Sequence, residues 1–420
     1  MAGACHDGLV GEETSFGRRV HRQRLRLGIT QAELATRVDH SQGWVSKVER
    51  GTLVPDRVGL INELATALHC HPNDLIGRPY VATPAENQWR GAAVEVIRQL
   101  RRYDLPPTFV GVPRRLPALL GELGKVHLLR DSASYRQIVM ALPGLLEETA
   151  ALMALAEGHE REEAFVVYGI ACKAAHTAAY GLGHAELAAL ATERIEWAAR
   201  HSGDPMMLAI AMHMRARDMW ANNALGDSMA LLDRALALIE DEWAAGDIHA
   251  LRTWGSIQLR AAVTASRLRN RAEAEDRIAS AQEAADRIKA LPLPHARDRH
   301  ELTFSPGNVL THGVNIAIDM QDAPRALALN DQALRRHGSA LGALQPSRIG
   351  RHHLDLAQAW LWESHRDRSL YELETAEKIA PQLIRSHPVA HALCARLIEA
   401  ERAGTHERLR RVANRFGLDR

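Results

Sequence analysis

The segment Thr30-Gln31-Ala32-Glu33-Leu34-Ala35, followed by Ser41-Gln42-Gly43-Trp44-Val45-Ser46-Lys47-Val48-Glu49-Arg50-Gly51, constrains this chain more than any other. Residue chemistry makes it two short helices about a tight turn. Thr30 stands directly before the apolar spacing Leu34, Ala35, Val38, with Glu33 three residues on, so a reciprocal N-cap is expected. Ser41 caps the next helix, whose Val45 and Val48 share a face that packs on Leu34 and Val38, while Gln42, Gly43, Ser46 and Lys47 point elsewhere. Gly51 closes that helix. Phe16, Val20 and Leu27 mark a helix upstream ending at Gly28, and Val58, Ile61, Leu64 and Leu68 mark one downstream with Asp56 as its cap. The expectation is a bundle of four or five helices around one small core, from about Ser15 to Gly77.

Thr30-Gln31 with Leu34-Ala35, Ser46 with Glu49-Arg50-Gly51, and Pro55 with Leu64-Ala65 place these residues in a register that resembles the Xre/Cro/C1 helix-turn-helix family, through Leu75. The family comprises phage repressors and bacterial regulators, and the resemblance implies double-stranded DNA as partner. It implies that Gln31 contacts a phosphate at the start of the second helix. It makes Gln42, Gly43, Trp44 and Lys47, with Ser41 and Ser46 on the same helix end, the positions facing bases or backbone. Arg57 would lie near the minor groove, and Arg24 with Glu49 would tie the first helix to the third. Gly43 stands where the family often has a longer polar side chain, so Trp44 is expected to supply stacking or thymine-methyl contact instead.

Charge agrees with DNA. Between Ser15 and Arg57 the cations Arg18, Arg19, Arg22, Arg24, Arg26, Arg37, Lys47, Arg50 and Arg57 outnumber Glu33, Asp39, Glu49 and Asp56 by five, while the whole chain is only +1. Concentrated positive charge is what phosphate neutralisation requires. By charge alone a solvated Arg-rich helix would look the same.

At 420 residues the chain is expected to hold at least two domains. Its Ala- and Arg-rich composition, with few aromatics, reads as all-α. No stretch reads as a membrane span, and the N-terminus lacks a basic segment followed by an apolar run, so a cytoplasmic location is expected. Cys5, Cys70, Cys172 and Cys394 are scattered, indicating neither a disulfide framework nor a zinc module. The expected division is residues 1–14 as a flexible tail, 15–77 as the helix-turn-helix domain, 78–112 as a linker with a short helix, and 113–420 as helical repeats with C-terminal capping helices.

The repeats show as paired small positions seven apart: Ala188 with Ile195, Ser228 with Ala235, Ala274 with Ala281, Ala326 with Ala333, and Ser369 with Ala376. Twelve residues before each pair stand His176, Ala216, Ala262, Val314 and Ala357 on a preceding helix. Pro381 falls five residues after Ala376, where a repeat should end. The pattern resembles tetratricopeptide repeats, whose period is about 34 residues. Here the spacings are 40, 46, 52 and 43, so helices or loops are longer, and His176, Val314 and Ile195 depart from the consensus. A degenerate pair from Leu116 to Glu157 precedes them, and helices from His387 to Phe416 cap the end.

Such an α-solenoid has a concave face built from its first helices. The repeat register puts there Lys173, Thr177 and Tyr180, then His213, Arg217 and Trp220, then Ser256, Arg267, Asn308, Thr311, Asn315 and Gln358. Phe304-Ser305-Pro306-Gly307-Asn308 opens one of these helices and would aim Asn308 inward. Amides pair with a peptide backbone, cations hold a carboxylate, and Trp220 and Tyr180 give rigid apolar surface. The bland alternative is a groove left unoccupied or used as an interdomain contact.

No Gly-rich phosphate loop, H-E-x-x-H or G-x-S-x-G is present, so no catalytic residue, metal site or cofactor is expected and the chain reads as a non-enzyme. His352 and His353, adjacent on a helix and pointing about 100° apart, read as surface or interface histidines. Glu147-Glu148 and Glu162-Glu163 read as solvated faces. The whole implies a sequence-specific transcriptional regulator whose repeats sense a peptide, protein or small-molecule effector, acting as a homodimer because a single head buries little interface. The alternatives are a protein-interaction scaffold with a vestigial helix-turn-helix, and an antitoxin-like regulator whose repeats hold a partner protein.

Overall fold

The computed structural model describes residues 16–51, 53, 58–68, 70, 75, 84–292, 298–342, 344–385, 387–399 and 406–416. The described residues are helical, with no strand among them. They fall into two compact units that divide near residue 83.

The N-terminal unit holds α1 (Phe16–Arg26), α2 (Gln31–Arg37), α3 (Gln42–Glu49) and α4 (Val58–Ala67). Each boundary has a local cause. The Thr30 hydroxyl accepts from the Glu33 amide while the Glu33 carboxylate accepts from the Thr30 amide, the expected capping box. Ser41 Oγ accepts from the Trp44 amide at 3.1 Å. Gly51, at φ 73°, adopts the left-handed conformation that ends α3 without a Cβ penalty. Val20, Leu34, Val38, Val45, Val48, Leu64 and Leu68 form the core. Gly17 lets α1 lie against the end of α3: a Cβ there would stand 2.2 Å from the Val48 carbonyl oxygen. The expected cap Asp56 and the bundle limits Ser15 and Gly77 lie outside the described residues.

The second unit begins with α5 (Pro84–Arg101), α6 (Leu116–Asp131) and α7 (Tyr135–Leu155). Five helix hairpins follow: α8 (Gly158–Gly181) with α9 (Ala185–Ser202), α10 (Pro205–Met219) with α11 (Leu225–Leu238), α13 (Ile248–Arg267) with α14 (Arg271–Lys289), α15 (Pro306–Asp319) with α16 (Ala323–Gly342), and α17 (Pro346–Trp362) with α18 (Arg366–Ile379). A short α12 (Glu240–Ala245) sits before α13, and α19 (Pro381–Arg385), α20 (Pro388–Glu399) and α21 (His406–Arg415) close the chain. The repeat register holds throughout: His176, Ala216, Ala262, Val314, Ala357 and the ten small-position partners are all at most 4% exposed. Small side chains at these crossings let the two backbones approach. From α10 onward successive first helices pack side by side, and α17 returns to touch α6. Buried residues of α5 to α10 and α17 to α21 accordingly share one apolar core.

Four readings change here. The helix expected inside a linker is α5, eighteen residues long, and its Trp89, Ala93, Val96 and Leu100 are buried in the core of the repeats. Their spacing along one helical face is legible in the sequence. One helix, Tyr135–Leu155, is after all long and apolar enough by composition to cross a membrane. It lies between α5 and α8 as a core helix, and carries Pro143 and the buried Glu148. Glu148 is no solvated residue: it accepts from Arg114 Nη2 at 2.7 Å. His352 is buried, with Nε2 2.9 Å from Asn330 Oδ1, whereas His353 meets Glu372.

Between α14 and α15, residues 298–305 cross to the opposite helices. The Glu301 carbonyl accepts from Arg130 Nη1 at 2.8 Å and from Lys173 Nζ at 2.7 Å. Phe304 lies flat on α13, where Gly255 has no side chain to obstruct it: a Cβ would fall 2.2 Å from the ring.

Candidate functional sites

In the N-terminal unit, α3 presents Ser41, Gln42, Gly43 and Lys47 as exposed residues, with Ser46 half-buried. Trp44 is also half-buried, packed on the edge of the core, and its ring stacks on His40 with centroids 4.1 Å apart. One face of the Trp44 ring is thus covered from within the protein. Gln31, expected at a phosphate, is half-buried and is also bonded within the protein. Its amide nitrogen donates to Glu49 Oε2 at 2.8 Å, which fixes the start of α2 to the end of α3. Arg57 lies outside the described residues.

The expected ion pair is present. Arg24 Nε donates to Glu49 Oε1 at 2.5 Å, and His21 Nδ1 lies 2.8 Å from Oε2. Burial alone would raise the Glu49 pKa, but the hydrogen bonds from Arg24, Gln31 and His21 outweigh it and hold the group below the usual carboxylate range. Arg19 is likewise structural, with Nε on the Leu75 carbonyl at 2.8 Å and its pKa lowered by burial and by Arg22. Two of the cations counted from sequence thus hold the bundle together.

In the repeat unit, four of the expected residues meet at a cavity of about 160 Å³: Lys173, Thr177, Tyr180 and Arg217. The structure adds Arg130 and Tyr135 from α6 and α7, and Arg348 and Arg351 from α17. Arg217 lies over the Tyr180 ring at 3.4 Å. Arg217, Arg348 and Arg351 make no salt bridge with any described residue, and Arg217 Nε is buried without a hydrogen-bond partner. Burial lowers Arg348 to about 10, with Arg351 adding to the effect. Burial also lowers Lys173 to about 7, with Arg130 second. Tyr180 reports the field: burial would raise its phenol, yet Arg217, Arg351, Arg260 and Arg267 pull it below its ordinary value. Asp131, paired with Arg130, and Glu301 also line the cavity, but Arg217, Arg348 and Arg351, withdrawn from water with no carboxylate in salt-bridge reach among the described residues, favour an anion among them.

The other expected groove residues belong to neighbouring clusters. His213 lies 2.9 Å from Arg260 Nη2, and burial, then Arg260, lowers its pKa. Trp220 has Arg267 over its ring at 4.1 Å and donates to Thr264 Oγ1 at 3.1 Å. Arg267 also faces Asp319, 3.7 Å away. Asn315 donates to Asp355 at 3.1 Å, and burial raises that carboxyl to about 7. Gln358 is half-buried on α17. Asn308 gives the groove no surface: it is 2% exposed, its side-chain oxygen taken by Ser305 Oγ at 2.7 Å. Pro306 starts the helix so that this amide closes its own first turn. Arg260, His312 and Asp355 were missed, although each stands two residues before its repeat reference position and so three residues before the position of Arg217 or Asn315.

Residues 15–75 match a family described as a helix-turn-helix domain. No curated protein matches the chain. Among solved structures, BtubC (BKLC) from P. vanneervenii is similar at 14% identity and a TM-score of 0.35, over 71% of this chain and 91% of that one. PlcR from Bacillus thuringiensis, solved with the peptide PapR7 and DNA, is similar at 14% identity and a TM-score of 0.27, over 66% of this chain and 95% of that one. Residues 15–75 are thus a helix-turn-helix domain.

Proposed function

We propose that the chain is a sequence-specific transcriptional regulator, cytoplasmic and homodimeric, whose α3 reads double-stranded DNA and whose repeats sense an anionic effector. The observation that carries the effector reading is the trio Arg217, Arg348 and Arg351 around the cavity, none in a salt bridge with a carboxylate among the described residues. An effector bearing a carboxylate or phosphate, whether a small organic anion or the acidic end of a peptide, relieves that desolvated charge. An extended peptide gripped by two asparagine amides is less well supported, since Asn308 is closed off and Asn315 is bonded to Asp355. Exposed Gln42 and Lys47 on α3 support the DNA reading.

The test is selection of random duplexes by the full-length chain, followed by binding of the selected sequence to Gln42→Ala and Lys47→Ala. Each lost base contact is expected to cost about 1–3 kcal/mol, with preference blurred at one position. Absence of any enriched sequence, or wild-type selectivity in both variants, would remove α3 as the reader and favour a scaffold.

A further inference from the structure

Where the 298–305 connector meets the N-terminal ends of α10 and α13, His249, Asp298 and His300 each bring one potential ligand atom close to the other two. The three atoms lie within 4.8 Å of one another. His249 Nδ1 is 3.7 Å from Asp298 Oδ1, and His300 Nδ1 is 3.9 Å from the same oxygen. These separations exceed a hydrogen bond. A tetrahedral ion with ligands at about 2.0–2.2 Å holds its donors roughly 3.3–3.6 Å apart, so closing onto one needs small rotations of the side chains.

The second observation is the state of His300. Its side chain is 1% exposed, and Nε2 lies 2.8 Å from Asp204 Oδ2. Donation of the Nε2 proton to that carboxylate leaves the lone pair on Nδ1, and Nδ1 is buried without a hydrogen-bond partner. It faces Asp298, another acceptor. Two buried acceptors turned toward each other repel; a cation between them converts the repulsion into two bonds. A carboxylate behind a histidine is also how metal-binding imidazoles are held in tautomer and orientation.

The remaining groups are fixed for the same purpose. Asp298 accepts from the His300 amide at 2.8 Å and from the Leu302 amide at 3.1 Å, so its carboxylate cannot swing away. His249 follows the α13 N-cap Asp247, whose carboxylate accepts the His249 amide at 2.9 Å. With 26% of its side chain exposed, His249 is the solvent-facing member of the three, and its Nδ1 accepts a long hydrogen bond from the Arg299 amide at 3.4 Å that an ion would replace.

We propose that His249, Asp298 and His300 bind a zinc ion, with Asp204 positioning His300 and water completing the coordination. Two imidazole nitrogens and a carboxylate oxygen suit zinc among the common divalent ions. The ion would clamp the connector to α13. This assignment stands apart from the effector reading, because none of its ligands lines the cavity.

The experiment uses metal-stripped full-length protein, titrated with Zn²⁺ and, as an optical probe, Co²⁺. Bound zinc should fall by one equivalent in His249→Ala and in His300→Ala, and stay unchanged in His353→Ala, whose histidine pairs with Glu372 elsewhere. Asp204→Asn keeps the α10 N-cap and should weaken zinc about 10- to 100-fold, as loss of such a carboxylate does. Wild type should show tetrahedral Co²⁺ absorption and a rise in Tm with zinc, both lost in His249→Ala. His249 is part-exposed, so this variant stays informative even if His300→Ala fails to fold. Equal zinc content in wild type and a folded His249→Ala, or no effect of zinc on the wild-type Tm, would overturn the assignment.

Discussion

Ser369 Oγ donates to the carbonyl of Ala357, twelve residues earlier on the partner helix, at 2.7 Å. Ser228 repeats the contact on Ala216 at 2.9 Å. Both serines are fully buried at the small position of their hairpin. Ser369→Ala is expected to cost about 1 kcal/mol, the lost bond being partly offset by easy packing of a methyl group. Ser369→Val should cost more, because the two backbones leave no room for branching. Denaturant unfolding of the two variants should rank them in that order.

These pairs explain how much was legible from sequence. Small residues seven apart, with a partner twelve before, are a local signal, and all fifteen positions are buried as expected. Capping at Thr30 and Ser41 is equally local. The cavity is not. Arg348 and Arg351 reach Arg217 because α17 comes back to α6, and Arg130 meets the Glu301 carbonyl across 171 residues. No periodicity in the chain encodes that closure. His249 and His300 are brought together by an irregular connector, and the bond from Gln31 to Glu49 spans two helices that no local pattern joins.

Gly17→Ala should disrupt the N-terminal unit selectively. Its Cβ would meet the Val48 carbonyl oxygen at 2.2 Å and the Glu49 carbonyl oxygen at 2.6 Å, both backbone atoms that cannot rotate aside. α1 must then move off α3, at a cost of several kcal/mol by comparison with overpacked cores, which lose about 1–3. Hydrogen exchange should accelerate in α1 to α3 and remain unchanged in α13 and α14. Wild-type protection in α1 would show that the approach is looser than this.

Arg24→Ala leaves Glu49 buried with only Gln31 and His21 as donors. The side chains of the pair are 8% and 4% exposed, so the loss should approach the roughly 3–5 kcal/mol of a broken buried pair, softened by the remaining bonds. Because Glu49 is held below its unfolded pKa, its contribution is present above about pH 4.3 and disappears as pH falls through the folded value. The variant should therefore differ most from wild type at neutral pH. A double-mutant cycle with Glu49→Gln, read by urea unfolding, isolates the coupling.

Asp355 has the opposite sign. Burial raises its carboxyl to about 7, so the folded chain holds a proton that the unfolded chain has released, and stability falls as pH rises from about 4 to about 7. Asp355→Asn keeps an acceptor for Asn315 and carries no charge. It should match wild type near pH 4 and exceed it by about 2–4 kcal/mol at pH 8, the upper figure being the full shift before solvent screening. Lys173, lowered to about 7, changes stability between pH 7 and about 10.5 in both proteins and so cancels in the difference. An unchanged difference between pH 4 and 8 would mean that Asp355 is ionised throughout.

The cavity itself is tested through Arg217 and Arg351. Neither guanidinium has a carboxylate within salt-bridge reach among the described residues, and the nearby Asp218 and Asp355 only partly offset the like charges around them, so relief of repulsion should compensate the packing lost on replacing either and leave the ligand-free repeats about as stable. Binding of an anionic effector should suffer in the other direction, losing about 1.5–3 kcal/mol for each charged hydrogen bond removed, or roughly a tenfold to hundredfold weaker Kd. Arg217→Ala also uncovers Tyr180, whose phenol should then titrate higher as the guanidinium 3.4 Å from its ring is lost. That spectroscopic shift checks the local charge before any effector is known. With the selected DNA in hand, isothermal titration of candidate carboxylates and phosphates, alone and in the presence of the duplex, measures both binding and its coupling to DNA. If Arg217→Ala and Arg351→Ala retain the wild-type Kd for an anion that alters DNA binding, the effector lies elsewhere on the repeats.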